Sequence, residues 1–107
     1  MIVTPTTSFI KSAKTLKKKY QSITNDIIEL SDQLEVNPYL GDLIKFHCYK
    51  IRMAITSKGK GKRGGARVIY MVHLKSEAIF LLEIFDKSEI ENVSDAYLKS
   101  LIEDLKF

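Results

Sequence analysis

Two apolar runs in the second half of the chain, residues 67–74 and 78–85, stand only Lys75-Ser-Glu77 apart and are rich in β-branched and aromatic side chains. Runs of this length flanking a short polar turn predict an antiparallel hairpin. Neither run alternates cleanly between apolar and polar residues. A strand of that composition is central, with at least part of both faces shielded from water. The rest of the chain must therefore supply cover.

The first half offers it. Residues 1–4 are short and β-branched, which suits an edge strand, and Pro5 ends it. Thr7 or Ser8 stands where a helix N-cap is wanted, and Phe9, Ala13, Leu16 and Tyr20 follow as a single apolar stripe. Lys11, Lys14, Lys17, Lys18 and Lys19 fall mostly on the opposite face or in the last turn, where cations meet the negative end of the helix dipole. Ser22 can cap a second helix with the stripe Ile23, Ile27, Leu30 and Leu34, and Asn37-Pro38 stops it. Two helices joined near Gln21 form a hairpin whose continuous apolar face needs a sheet to pack on. Residues 46–55 give a further strand, with Tyr49, Ile51, Met53 and Ile55 on one side and Lys50, Arg52 and Ala54 on the other. Ser94 caps a C-terminal helix in which Ala96 or Tyr97, Leu98, Leu101, Ile102 and Leu105 keep helical spacing. The expected fold is α+β: a small antiparallel sheet packed against an N-terminal helical hairpin, in the order β-α-α-β-β-β-α, as one domain over residues 1–107.

Charge is distributed unevenly over this frame. Residues 43–76 carry nine basic side chains and no acidic one, which the net charge of +4 understates. Five of the nine lie in Ser57-Lys-Gly-Lys-Gly-Lys-Arg-Gly-Gly-Ala-Arg67, which runs from the connection 56–65 between two antiparallel strands into the second of them. Like charges repel, so such a block persists where a polyanion relieves it, and nucleic-acid phosphate is the commonest one. A solvated, mobile hairpin tip would also account for the glycine-rich loop taken alone. Cys48 is single, which excludes a disulfide framework and a cysteine-based metal site and fits a reducing cytosol. The longest purely apolar runs are five residues, too short to span a membrane, and the N-terminus lacks the pattern of a secretory signal. A cytoplasmic protein without a metal or other cofactor is expected.

Gly59-Lys-Gly61-Lys-Arg-Gly64 matches the dinucleotide-binding glycine pattern on paper, but that pattern opens a helix and here a strand follows. The glycines instead keep the backbone open while the lysines reach outward, so Lys58, Lys60, Lys62 and Arg63 can follow an RNA or ribosomal surface. Lys50 and Arg52, two apart in one strand, point to the same face. A charged pair on the polar face of a strand is ordinary by itself. Arg67, however, begins the next strand and can lie opposite Arg52 once the hairpin closes. Three convergent cations can bind a phosphate and stabilise the charge that grows on it. Lys87 can add a fourth at the margin of the sheet, although a turn lysine needs no function. His47 and His73 read as strand residues near solvent, and the five tyrosines sit mostly at apolar positions of their elements.

The element order, together with Leu16-Lys-Lys-Lys-Tyr20, Asn37-Pro38, Gly41, Tyr49-Lys-Ile-Arg-Met-Ala54, Ser57-Lys-Gly-Lys60, Gly64-Gly-Ala-Arg-Val-Ile-Tyr70 and Asp86-Lys-Ser-Glu89, resembles the RelE/ParE superfamily of bacterial toxins over essentially the whole chain. The nearer branch is the RelE-like one with a Gly/Lys insertion before the arginine. That resemblance implies the toxin of a type II toxin–antitoxin module, inhibiting translation as a metal-independent mRNA endoribonuclease that works on the ribosome in RelE-type members. It implies a cognate antitoxin in a hetero-oligomer. It also implies that Lys50 and Arg52 position the phosphate and assist deprotonation of the 2′-hydroxyl, that Arg67 stabilises the transition state, and that Lys87 is the basic residue after the last strand. The catalytic tyrosine of RelE has no counterpart: the positions are Ile90, Glu91, Asn92 and Val93, and Tyr97 lies too far along. A lysine whose proton is loosened by like charges could act as base. Two other readings stay open, a ParE-like inhibitor of DNA gyrase and a non-catalytic RNA-binding module.

Overall fold

The computed structural model describes residues 1–88 and 92–105. In chain order the elements are strand β1 (Ile2–Pro5), helices α1 (Thr7–Lys19) and α2 (Ile23–Val36), strands β2 (Asp42–Leu43) and β3 (Cys48–Met53), a 3-10 turn over Thr56–Lys58, strands β4 (Ala66–His73) and β5 (Ala78–Asp86), and helix α3 (Asp95–Glu103). The strands form one sheet in the order β1-β5-β4-β3-β2. The α+β class and the order of elements are as expected, with two additions. A two-residue strand, β2, pairs with β3. The sheet is also not wholly antiparallel, because β1 runs parallel to β5 at the opposite edge.

Each cover is built from an apolar stripe. Phe9 and Leu16 of α1 and Ile23, Leu30 and Leu34 of α2 pack on Met53, Val68, Tyr70, Val72, Ile79, Leu81 and Ile84. On the other face Leu98 and Leu101 of α3 pack on Cys48, Ile69, Met71, Leu82 and Phe85. This double cover is why β4 and β5 are apolar almost throughout. Side chains sealed this completely, such as Leu34, Ile79 and Leu82, each contribute about 1.5–3 kcal/mol. An irregularity between Ile69 and Tyr70 lets Ile69 face Glu83 while Tyr70 faces Leu81, so Leu82 is an extra residue in β5. The bulge turns Glu83 toward α3, where its buried carboxylate accepts from the Tyr97 hydroxyl.

Local chemistry moves some boundaries. Thr6, not Thr7 or Ser8, caps α1: its hydroxyl accepts from Phe9 N–H (3.3 Å) and donates to the Leu81 carbonyl (2.9 Å). Ser22 occupies the N-cap position of α2, but its hydroxyl makes no capping bond: it donates to Asp26 (2.7 Å) and accepts from Ser57 N–H (2.9 Å). The third strand starts at Cys48, not at residue 46, because Phe46 and His47 both have left-handed φ and turn the chain into β3. Tyr39 and Tyr97 are half exposed, against the expectation that the tyrosines sit at apolar positions. No helix among the described residues is long and apolar enough to cross a membrane.

Candidate functional site

Residues paired across neighbouring strands share a face. The β3–β4 register sets Arg52 opposite Arg67 and Lys50 opposite Ile69, and the β2–β3 register sets Asp42 opposite Lys50. Lys50, Arg52 and Arg67 therefore occupy the sheet face opposite the α1–α2 hairpin, beside the start of α3. With Asp42, Lys87 and Asn92 they line a cavity of about 300 Å³. The chain thus brings together the four residues that its sequence marks as phosphate-handling, two of them as directly opposed arginines.

Each cation is held differently. Arg67 is 6% exposed, and its Nη1 donates to the carbonyls of Lys62 (3.2 Å) and Ala66 (3.1 Å), its Nη2 to that of Arg63 (3.4 Å). Burial, and after it the charge of Arg52, pull the Arg67 pKa below the usual guanidinium value. Arg52 is exposed. Lys50 donates to the Asn92 side chain at 2.7 Å. Lys87 is fixed through its backbone, with its N–H on the Gly65 carbonyl at 3.2 Å. Just ahead of it the Asp86 carboxylate accepts from Ser88 N–H (3.0 Å) and the Ser88 hydroxyl (2.9 Å), which shapes the turn.

The glycine-rich connection is not the open tip expected of it. Its entrance is clamped. Asp26 of α2, itself buried, accepts from the Thr56 hydroxyl (2.6 Å) and Thr56 N–H (3.0 Å), and Ser57 N–H donates to Ser22 (2.9 Å). Its exit is clamped by Arg67, and by Gly65, where any Cβ would stand 2.2 Å from the Met53 carbonyl oxygen. Gly59 and Gly61 take left-handed φ values of 73° and 62°, which glycine alone adopts without strain. Lys60, Lys62 and Arg63 are exposed on this frame. Lys58 is not. It points inward to an ion pair with Asp86 at 2.8 Å and lies over the Tyr20 ring. Tyr20 also donates to Asp86 (2.7 Å), so a fully buried carboxylate ties α1, the loop and the end of β5 together. Lys58 therefore departs from the outward-reaching role that the sequence suggested.

Asp42 and Asn92 belong to the cavity and were not legible beforehand. Asp42 sits on a strand of two residues, too short to display a period, and Asn92 lies in the stretch that the sequence marks only by the missing tyrosine. Ile90 and Glu91 lie outside the described residues, as does Glu89. Asp42 is located by Tyr70, whose hydroxyl donates to the Pro38 carbonyl (2.8 Å) and accepts from Gly41 N–H (3.0 Å). Gly41 lies so close to β3 that a Cβ would stand 2.8 Å from the Lys50 carbonyl oxygen. A second, open groove of about 830 Å³ adjoins the first: Gln33, Val36, Asn37, Leu40 and Ile51 form its walls, and Asp42, Lys50 and Arg52 are common to both. Tyr97 faces neither; hydrogen bonding to Glu83, then burial, push its hydroxyl up to about 12.

No protein-family model matches the chain. Among solved structures, the isolated E. coli RelE toxin superimposes with a TM-score of 0.61 at 14% identity, over 95% of this chain and 96% of that one. A free-state E. coli RelE carrying two arginine-to-alanine substitutions gives 0.53 at 11% identity, over 97% and 96%. Over that span the chain has a RelE-like fold.

Proposed function

We propose that this chain is the toxin of a toxin–antitoxin pair and acts as a metal-independent endoribonuclease on messenger RNA, with Lys50, Arg52, Arg67 and Lys87 handling the scissile phosphate. One observation carries the reading. Arg52 and Arg67 are directly opposed on neighbouring strands, and Arg67 is buried. Like charges in that relation destabilise a sheet, and desolvation adds to the strain, so the pair makes sense as half of a complex with an anion. A cavity of about 300 Å³ with Lys50 and Lys87 on its walls suits a phosphodiester.

Chain cleavage by this route needs no protein nucleophile. The ribose 2′-hydroxyl attacks the adjacent phosphorus, the 5′-oxygen leaves, and the products are a 2′,3′-cyclic phosphate and a 5′-hydroxyl. Negative charge grows on the non-bridging oxygens, where fixed cations in a partly dry recess are most effective. Exposed Lys60, Lys62 and Arg63 then meet neighbouring phosphates. An acidic antitoxin segment folding over this face would neutralise it.

The test is cleavage by the purified chain of messenger RNA, free and bound to ribosomes, with and without chelator. Expected are 2′,3′-cyclic phosphate ends, no cleavage of a strand with 2′-deoxyribose at the cut, and a loss of about 10²–10³ in rate for Arg67→Ala. RNA binding without cleavage in both settings, or full activity of Arg67→Ala, overturns the proposal.

A further inference from the structure

We infer that Asp42 is the general base of this site, taking the proton of the ribose 2′-hydroxyl as the 2′-oxygen attacks the phosphate. The inference rests on the ribonuclease reading above and assigns the step which that reading leaves without an acceptor. Among the described residues lining the cationic cavity, Lys50, Arg52, Arg67 and Lys87 are donors when charged, and Asn92 is an amide already bonded to Lys50. Asp42 is the one carboxylate there.

Its position fits the geometry of the substrate. Asp42 lies on the wall common to the two cavities. A nucleotide seated in the larger groove against Val36, Leu40 and Ile51, with its 3′ phosphate among the cations, would bring its 2′-hydroxyl to the shared wall. The 2′-hydroxyl of that nucleotide stands between base and phosphate, which is where Asp42 stands between groove and cavity. The backbone that carries the exposed Asp42 side chain is held firmly. Its strand is paired to β3 with Asp42 opposite Lys50, and the preceding Gly41 is bound to the buried Tyr70 hydroxyl.

In the step, the proton of the 2′-hydroxyl passes to the Asp42 carboxylate and the freed electron pair forms the 2′-oxygen–phosphorus bond. The phosphorus–5′-oxygen bond breaks, and the departing oxygen takes a proton from a neighbouring ammonium or from water. Asp42 returns its proton to solvent. No oxidant, reductant or second substrate is needed.

The experiment separates chemistry from binding. Single-turnover cleavage of ribosome-bound and free messenger RNA is measured for the natural chain, Asp42→Asn and Asp42→Ala, alongside RNA affinity and thermal melting. The expected result for Asp42→Asn is a rate lower by about 10²–10⁴ with affinity unchanged or tighter, since a negative charge leaves a cationic cavity. Added formate should restore part of the rate to Asp42→Ala. An Asp42→Asn rate within about threefold of the natural chain, or a loss explained entirely by weaker binding, removes Asp42 and leaves the ribonuclease reading standing. A natural chain that cuts no RNA removes both.

Discussion

Replacing Lys58 by methionine takes one donor from a carboxylate that has no contact with water. Asp86 is 0% exposed and the Lys58 side chain 12%. Without the ammonium, Asp86 keeps the Tyr20 hydroxyl at 2.7 Å and the two Ser88 donors at 3.0 and 2.9 Å. Breaking a buried pair from one side costs about 3–5 kcal/mol. Three remaining neutral donors and the partial water access of Lys58 favour the lower end, about 3 kcal/mol. For a chain of this size that lowers Tm by about 12 °C. The assay is urea and thermal unfolding of Lys58→Met, Asp86→Asn and the double variant, which should recover part of the loss through coupling of about 2 kcal/mol.

The pH dependence sharpens the same test. Burial pushes the Asp86 carboxyl up, but hydrogen bonds from Lys58, Tyr20 and Ser88 together outweigh it and hold the group well below the usual carboxylate range. A carboxyl held low contributes stability that is complete above its unfolded value of about 3.9 and fades as the pH falls below it. Removing Lys58 raises the folded-state value, so the gap between the natural chain and Lys58→Met is widest near neutrality and narrows below about pH 4. A loss under about 1 kcal/mol at pH 7, or a gap that does not narrow in acid, would refute the assignment of Lys58 to the interior.

The exposed part of the loop behaves differently. Replacing Lys60, Lys62 and Arg63 together by alanine should flatten the salt dependence of single-strand RNA binding by about 2 in log–log slope, read by titration at several ionic strengths, and leave Tm nearly unchanged. Tyr97→Phe leaves Glu83 without its hydroxyl donor and should cost about 1–3 kcal/mol in denaturant unfolding near neutral pH. Because the Tyr97 hydroxyl is pushed up to about 12, its contribution is complete below the ordinary tyrosine value of about 10 and lost as the pH rises toward 12. The phenylalanine variant should therefore lose less stability than the natural chain over that window. Gly65→Ala drives a Cβ to 2.2 Å from the Met53 carbonyl oxygen, and urea unfolding should show it destabilised by at least about 2 kcal/mol.

What the sequence made legible follows from period and length. The stripes Phe9–Leu16 and Ile23–Leu34, the alternation through Tyr49 to Met53 and the unbroken apolarity of β4 and β5 are long enough to specify elements and faces, so the Arg52–Arg67 pairing could be anticipated from strand direction alone. Interactions across large separations carry no such signature. Nothing near Lys58 announces that Asp86 receives it, because the loop is basic on both sides and the acid lies 28 positions away. The bulge that turns Glu83 inward depends on register with β4, and β2 is too short to give Asp42 a face in advance. A basic loop read residue by residue looks uniformly outward; only its neighbours in space sort the one anchored lysine from the exposed cations beyond it.

The parallel pairing of β1 with β5 joins Ile2 to Ala78 and Pro5 to Leu81. β1 thus has no berth in the sheet until β5, far along the chain, is in place. Until then the two helices present their apolar stripes to no finished sheet, and the recess beside Arg67 lacks Lys87. The outer edge of the sheet, the seat of both helices and the basic recess are thus completed together, when β5 takes its place.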